Sequence, residues 1–598
     1  MAPSVATIPA VLAERAQQQP DDTAFTFFDY EIDPAGVAES LTWSEMHHRV
    51  KVIARQLAKI GSPGDRAVVL APQGLEYILA FFGAIEAGFI AVPLSMPQLR
   101  QHDERVTGAM KDSTPVVVLT TSAVVDDIRK YGQADPRQRA PKFLEVDTLD
   151  FDSPLQPGPA VALPKTAYLQ YTSGSTRLPA GVVVTHKNVI VNVDQMIDDY
   201  FESIPGGPTR DTTVVSWLPF YHDMGLVVGV FLPVMFGCSG VTMSPTAFMQ
   251  KPARWIRHLA SNGTTFTAAP NFAYELAVRR TSDEDLAGLD LGGVAVMING
   301  AERVHGATVR RFAERFGPYG LSESAMRPSY GLAEATVYVV SSPGGRPPTV
   351  VRFDYEKLAA GHAERCDDAS IGANSDVDVD GGGARSDDAS SGAEQVGLGG
   401  PRATMFRVVD PETHVENPAG KIGEVWLHGE HVAGGYFKNP ELTEKLFAGQ
   451  LHEPSAGTPQ GPWLRTGDLG VMFDDELFII GRIKDLLIVD GRNHYPDDIE
   501  GTVAEFTGGR VAAISVPDGA SERLVVIAEL KKQIDPSELA SVKEQVTSAI
   551  SMTHSVRLSD FVLVAPSSLP LTTSGKVRRA RSGDMYRNDE FSRLDAAR

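Results

Sequence analysis

A chain of 598 residues is too long for one hydrophobic core and implies a large domain with at least one smaller companion. With 42% hydrophobic and 22% charged residues it is ordinary globular material, and a formal net charge of -21 with no basic tract argues against a nucleic-acid partner. The two cysteines, Cys238 and Cys366, stand too far apart in sequence to suggest a disulfide framework or a metal cluster; thiols in a reducing cytoplasm are the simplest account.

No signal peptide is expected at the amino terminus, since Ile8 to Ala16 reads as an amphipathic helix rather than a cleavable apolar stretch. Thr42-Trp43-Ser44-Glu45 fits a capping box, after which Val50, Ile53, Ala54, Leu57 and Ile60 keep one helical face until Gly61. Ala67 to Leu70 is a buried-type strand, Leu75 to Ala87 a helix, Ile90 to Leu94 a strand, and Val116 to Leu119 another. Repeated β-α-β units of this kind predict an α/β fold built on a mostly parallel, helix-covered sheet.

Between the apolar runs Ala167-Tyr168-Leu169 and Val182-Val183-Val184 lies Tyr171 to Gly181, a loop rich in hydroxyls and containing Gly174. Backbone N–H groups and hydroxyls in such a turn suit a phosphate. The loop is not a Walker loop, because no lysine precedes its final hydroxyl. A polar surface turn is the plainer reading of this stretch taken alone.

Met224 to Gln250 contains no charged residue and is long enough to cross a bilayer. Gly225, Gly229, Pro233, Gly237, Gly240 and Pro245 are expected to break it into short pieces, giving a buried helix and then a buried strand rather than a span. From Asp367 to Gly400, eight acids stand against the single Arg385, around Gly381-Gly382-Gly383 and with no aromatic residue, so this stretch is expected to be a solvated surface loop. Strand character resumes at Ile422 to Leu427 and Leu477 to Gly481. From about Asp485 the chain has its own alternation, with a helix near Pro536 to Ile550, and is large enough for a small α+β domain.

Five further polar groups punctuate this order: Trp217 to Gly225 with His222 and Asp223, Ser329 to Thr336 with Tyr330 and Glu334, Arg465-Thr466-Gly467-Asp468, Gly481-Arg482-Ile483-Lys484-Asp485, and Thr573-Ser574-Gly575-Lys576. Each alone has a structural reading. Together, in this order and at these spacings, they resemble the core motifs of the adenylate-forming superfamily: acyl-CoA synthetases, non-ribosomal peptide adenylation domains and luciferases. The resemblance covers nearly the whole chain and is strongest to the fatty acyl-AMP ligases. Ser175-Thr176-Arg177-Leu178-Pro179-Ala180-Gly181 has Arg177 and Ala180 where most acyl-CoA synthetases have Gly and Lys, and an extra segment of about 341–364 follows the Tyr330–Glu334 motif, as these ligases resemble one another in having. The acidic stretch of about 367–400 departs from that pattern.

The resemblance implies a large, multi-subdomain N-terminal AMP-binding domain of about residues 1–480 and a smaller, mobile α+β C-terminal domain of about 485–598, hinged near Lys484. It implies ATP- and Mg2+-dependent activation of a medium- or long-chain fatty acid to its adenylate, with the acyl group passed to a carrier protein or carrier domain of a polyketide synthase. Thr172, Ser173, Gly174, Ser175 and Thr176 would hold the β- and γ-phosphates. Glu334 would hold Mg2+ with Thr176. Tyr330, followed by Gly331 and Leu332, would stack on adenine, with Gly300, Ala301 and Glu302 along its edge. Asp468 would accept from the ribose hydroxyls, Arg482 would assist at ribose or phosphate, and Lys576 would bridge the carboxylate and the α-phosphate. His222 would sit beside the carboxylate, with the acyl chain running into the uncharged stretch. The implied setting is cytoplasmic, with no transmembrane segment. A fatty acyl-CoA ligase would share every adenylation residue, and a non-catalytic nucleotide- or lipid-binding relative is the alternative from another class.

Overall fold

The structure, a computed structural model, describes residues 7–97, 104–133, 140–155, 161–172, 180–204, 207–366, 392–489, 492–518, 521–531, 536–572 and 576–594. The expected capping box is present: the Thr42 hydroxyl accepts from the Glu45 N–H at 3.2 Å, and the Glu45 carboxylate accepts from the Thr42 N–H at 2.8 Å. The helix Trp43–Ala58 starts there and buries Met46, Val50, Ile53 and Leu57 on its inner face.

Among the described residues the β-α-β units build two mostly parallel sheets. One has six strands, with Arg66–Val69 and Ile90–Pro93 at its centre and the antiparallel pair Thr166–Thr172 and Ala180–Thr185 at one edge. The other has eight strands and runs from Val340–Ser341 through Met326–Tyr330, Val294–Asn299 and Thr264–Ala269 to an edge at Val37–Thr42. One continuous apolar core serves both sheets, with Trp43, Tyr168 and Trp255 fully buried in it. The runs of Val, Ile and Phe that covered parallel strands require account for this. A four-stranded antiparallel sheet, Met405–Val409, Gly423–His428, Leu464–Phe473 and Glu476–Arg482, follows.

The C-terminal part has its own cores. The strands Gly508–Asp518, Ser521–Leu530 and Leu558–Val564 form a sheet, with the helices Pro496–Thr507, Pro536–His554 and Arg579–Arg587 around it. Val503, Val526, Val546 and Phe561 are buried together, separately from the large domain's core.

Two expectations need correction. The uncharged stretch does give a helical run and then the strand Ser239–Met243, but Gly225, Gly229 and Pro233 do not break the run. Helical backbone continues from Asp223 to Phe236 through a π turn at Val227–Phe231, and it ends at Gly237 with φ 69°. Pro233 has no N–H to offer residue 229, and a π turn just before it is one way a helix accommodates that loss. The glycines serve close approach instead: a Cβ on Gly225 would lie 2.0 Å from the Pro219 carbonyl oxygen. No helix among the described residues is long and apolar enough to cross a membrane.

The second correction concerns the acidic stretch, of which 367–391 lie outside the described residues. Its last part is not a solvated loop. Gly392–Val396 is a strand paired antiparallel with Val350–Asp354, and Ala393, Val396 and Leu398 are buried. The extra segment therefore has a hairpin partner, and Phe353 and Leu358 pack beneath it with Val471, Phe478 and Tyr495.

Candidate active site

Two β-strands of the large domain end at the cleft. After Val294–Asn299, the chain turns at Gly300, where a Cβ would come within 2.9 Å of the Ser329 carbonyl oxygen, and Ala301 sits at φ 63°. Glu302 then turns back so that its carboxylate accepts from the Phe272 N–H at 2.6 Å. After Met326–Tyr330, the Tyr330 hydroxyl donates to Asp468 at 2.7 Å. Glu334 follows in a short 3-10 turn, Ala333–Ala335, and its carboxylate accepts from the Tyr436 hydroxyl at 2.7 Å.

Asp468 and Arg482 are direct register partners on neighbouring strands. Their side chains meet at 2.7 Å, with Asp468 almost wholly buried. The Asp468 carboxylate, foremost, holds the Arg482 pKa above its ordinary value. Thr466 and Glu424 support the turn ahead of Asp468: the Asp468 N–H donates to the Thr466 hydroxyl at 3.1 Å and the Gly467 N–H to the Glu424 carboxylate at 3.0 Å.

His222 and Asp223 stand at the start of the helical run, Nδ1 and Oδ1 2.6 Å apart. Burial would raise the Asp223 pKa, but His222, the Met224 N–H and Lys576 together bring it below the ordinary carboxylate range. Behind them Trp217 and Phe248 stack with ring centroids 3.8 Å apart.

Lys576 comes from the small domain, held by a pair of hydrogen bonds with Thr572: the Lys576 N–H donates to the Thr572 hydroxyl at 3.0 Å, and the Thr572 N–H to the Lys576 carbonyl at 2.7 Å. The side chain still reaches solvent, yet its ammonium lies within the fields of Glu302, Asp223, Asp468 and Arg482. Partial desolvation by the surrounding protein, and after it the Arg482 cation, lower its pKa against the pull of the three carboxylates. Lys484, in the 3-10 turn Ile483–Asp485, is likewise lowered, by partial desolvation first and then by Arg482.

The structure thus brings His222, Asp223, Glu302, Tyr330, Glu334, Asp468, Arg482 and Lys576 to one cleft. Thr172 ends the strand leading into the hydroxyl-rich loop, while Ser173, Gly174, Ser175 and Thr176 lie outside the described residues. Tyr436 was not expected here. Gly435, at φ 106°, precedes it, and that Gly-Gly-aromatic turn was the available signal.

Glu334 is a candidate cation ligand. Burial pushes its pKa up, and no ion pair among the described residues neutralises it. A buried carboxylate with one oxygen on a tyrosine hydroxyl suits a hard divalent ion as its remaining partner.

An α/β body with a small domain's lysine lowered onto a cleft of acids and one arginine is an adenylate-forming architecture. The chain belongs to the AMP-binding enzyme family, which it matches over residues 12–437, and residues 484–595 match the family described as Disco-interacting protein 2-like, AMP domain. It is 56% identical to the long-chain-fatty-acid–AMP ligase FadD26 of Mycobacterium marinum, over 98% of each chain. It is 52% identical to the 4-hydroxyphenylalkanoate adenylyltransferase of Mycobacterium tuberculosis, over 99% of this chain and 94% of that one. The fatty acyl-adenylate ligase of Legionella pneumophila, solved with acyl adenylate and pyrophosphate, superposes with a TM-score of 0.70 at 29% identity, over 99% of this chain and 98% of that one.

Proposed function

We propose that this enzyme is a fatty acyl-AMP ligase. A fatty carboxylate oxygen attacks the α-phosphorus of ATP, the bond to the β-phosphate oxygen breaks, and acyl-adenylate and pyrophosphate leave. The observation that carries the reading is the small domain's Lys576 lying within the fields of Asp223, Glu302 and Asp468 of the large domain, with Asp468 paired to Arg482. Two anions must meet in this reaction, so cations aimed at the place where charge builds up are what it needs. Lys576 bridges the attacking carboxylate and the α-phosphate. Tyr330 stacks on adenine beside Gly300, Ala301 and Glu302, while Gly331 and Leu332 continue that wall. Asp468 accepts from the ribose hydroxyls, and its present partners Tyr330 and Arg482 hold it in place to do so. His222 lies beside the carboxylate, and the acyl chain extends along the helical run behind it. Thr172 to Thr176 cradle the outer phosphates.

Glu334 and Thr176 would hold Mg2+, which when bound would neutralise charge on those phosphates. Glu334→Gln is expected to shift the Mg2+ dependence of ATP–pyrophosphate exchange to higher concentration and to slow adenylate formation. An unchanged Mg2+ titration would mean that the ion is held elsewhere.

The acceptor in this reading is a carrier-protein thiol, such as that of a polyketide synthase, in the cytoplasm. What favours it over coenzyme A is the extra segment's grip on the small domain. The Tyr355 and His554 rings meet at 4.8 Å, and the Tyr495 hydroxyl donates to the Leu358 carbonyl at 3.4 Å. Such contacts must break before the domain can turn about Lys484 and admit a thiol. The test is to supply ATP and fatty acids of graded length, then chase with coenzyme A or a phosphopantetheinylated carrier protein. Adenylate with little acyl-CoA, and transfer to the carrier, is the expected result; rapid acyl-CoA formation promotes the acyl-CoA ligase reading. In the same assay Lys484→Pro, which fixes φ near about -65°, should impair adenylation and transfer unequally. Equal effects count against a hinge there.

A further inference from the structure

One ion pair crosses between the domains in unusual isolation from water. Arg303, one residue beyond Glu302, meets Asp498 of the small domain at 2.5 Å, with side-chain exposures of 16% and 4%. Asp498 lies in the first turn of the helix Pro496–Thr507. On the large-domain side, Arg303 also donates to the Glu394 carbonyl at 3.4 Å, on the strand that pairs with the extra segment. Three parts of the molecule therefore meet at one guanidinium: the turn that follows Gly300, the hairpin of the extra segment, and the small domain.

The contact continues towards Lys576. Asp497, next to Asp498, pairs with Arg579 at 2.5 Å, and Glu500, one turn along, pairs with it at 2.7 Å. Arg579 also reaches Asp485 beside the hinge at 3.4 Å. It begins the helix Arg579–Arg587, three residues after Lys576. Asp498 thus fixes the helix that, through Arg579, anchors the segment carrying Lys576.

We propose that Arg303 and Asp498 are positioning residues that latch the small domain in the orientation placing Lys576 in the cleft. This rests on the reading of Lys576 given above. Neither residue touches the reacting atoms. The latch is built to release: Arg303 Nε and Nη1 and Asp498 Oδ2 find no hydrogen-bond partner among the described residues, so rotation of the domain would give all three to water. A pair this buried is costly to break by removing one partner, yet gives only modest net stability when intact. That combination suits a contact that must form for one half-reaction and open for the next.

The test uses the full chain with Asp498→Asn, Arg303→Gln, both together, and Arg303→Lys. Each single change is expected to lower kcat of ATP–pyrophosphate exchange by roughly tenfold or more, with KM for ATP changed by less than about threefold, since the latch orients Lys576 and does not bind nucleotide. The double variant should be no worse than about threefold below either single, the mark of two residues acting through one contact. Arg303→Lys keeps the charge and should recover much of the rate. Amide hydrogen exchange should rise in peptides spanning 300–305 and 496–500 in the neutralised variants. It should stay at the wild-type level in Lys576→Ala, which loses adenylation with the latch intact. Multiplying effects in the double variant, or unchanged exchange at both peptides, would overturn the latch. Normal adenylation by Lys576→Ala would instead reject the role of Lys576. Should Asp498→Asn yield unfolded protein, Arg303→Gln and Arg303→Lys ask the same question from the large domain.

Discussion

Replacing Lys576 by alanine is expected to lower the rate of adenylate formation by at least about a hundredfold, the scale of losing one electrostatic stabiliser aimed at the transition state. Binding of ATP should change little, because in the proposed reading the phosphates and the base have other partners and the lysine's main gain comes as charge builds between carboxylate and α-phosphate. The environment gives this a second signature. Crowding by protein and then Arg482 lower the ammonium's pKa. A lysine with a lowered pKa loses its proton as pH rises, earlier than an ordinary one, so wild-type kcat/KM, which reports the free enzyme, should fall on an alkaline limb below the usual lysine range. The residual activity of Lys576→Ala should lack that limb. Pyrophosphate exchange measured against pH checks both, and near-normal exchange in the variant rejects the assignment.

The parts of this site that were legible in the sequence are those whose chemistry is local. Thr42 and Glu45 sit three residues apart and cap one helix, so spacing alone revealed them. Tyr330, Glu334, Asp468, Arg482 and Lys576 each stand in a short motif, and the resemblance of those motifs in order to the adenylate-forming superfamily pointed to their convergence. Partnerships made by the fold were not legible. Tyr436 reaches Glu334 across 102 residues, and nothing in either neighbourhood names the other. Arg303 and Asp498 stand in no motif, and only the packing of the small domain on the large one brings them together.

The two corrected stretches failed for the same reason, that composition was read without its tertiary partner. Gly392–Val396 is glycine-led and polar, with little strand propensity of its own. It is a strand because Val350–Asp354 supplies the hydrogen-bonding edge and Phe353 the buried neighbour. Gly225 and Gly229 look like breakers, but a helix packed this closely against the Pro219 carbonyl and the Ser216 side chain has no room for a Cβ at either position. Context outweighed the cost of glycine in a helix, about 1 kcal/mol each.

Gly331→Ala is expected to be as damaging as loss of Lys576, by a different route. A Cβ at this position would stand 1.6 Å from the Val337 carbonyl oxygen, a backbone atom that cannot rotate away. The collision falls inside a tight reversal. The Val339 N–H donates to the Tyr330 carbonyl at 3.0 Å, and Tyr330 pairs antiparallel with Val340, so the chain from 331 to 337 must fold back on itself. Opening it moves both functional ends: Tyr330 away from Asp468, and Glu334 away from Tyr436. Overpacking of a rigid site costs about 1–3 kcal/mol in stability, too little to unfold a domain with so large a core. Tyr330 and Glu334, the proposed adenine platform and metal ligand, would however both be displaced. Adenylate formation should therefore fall by about a hundredfold or more, the scale on which a misplacement near 1 Å acts. KM for ATP should rise with it, in contrast to Lys576→Ala, where kcat falls and binding holds. Steady-state kinetics beside a thermal melt separate the two outcomes. A Gly331→Ala enzyme that binds ATP with wild-type affinity would show that the turn absorbs the methyl group without moving Tyr330, and that the close approach to Val337 has no part in building the site.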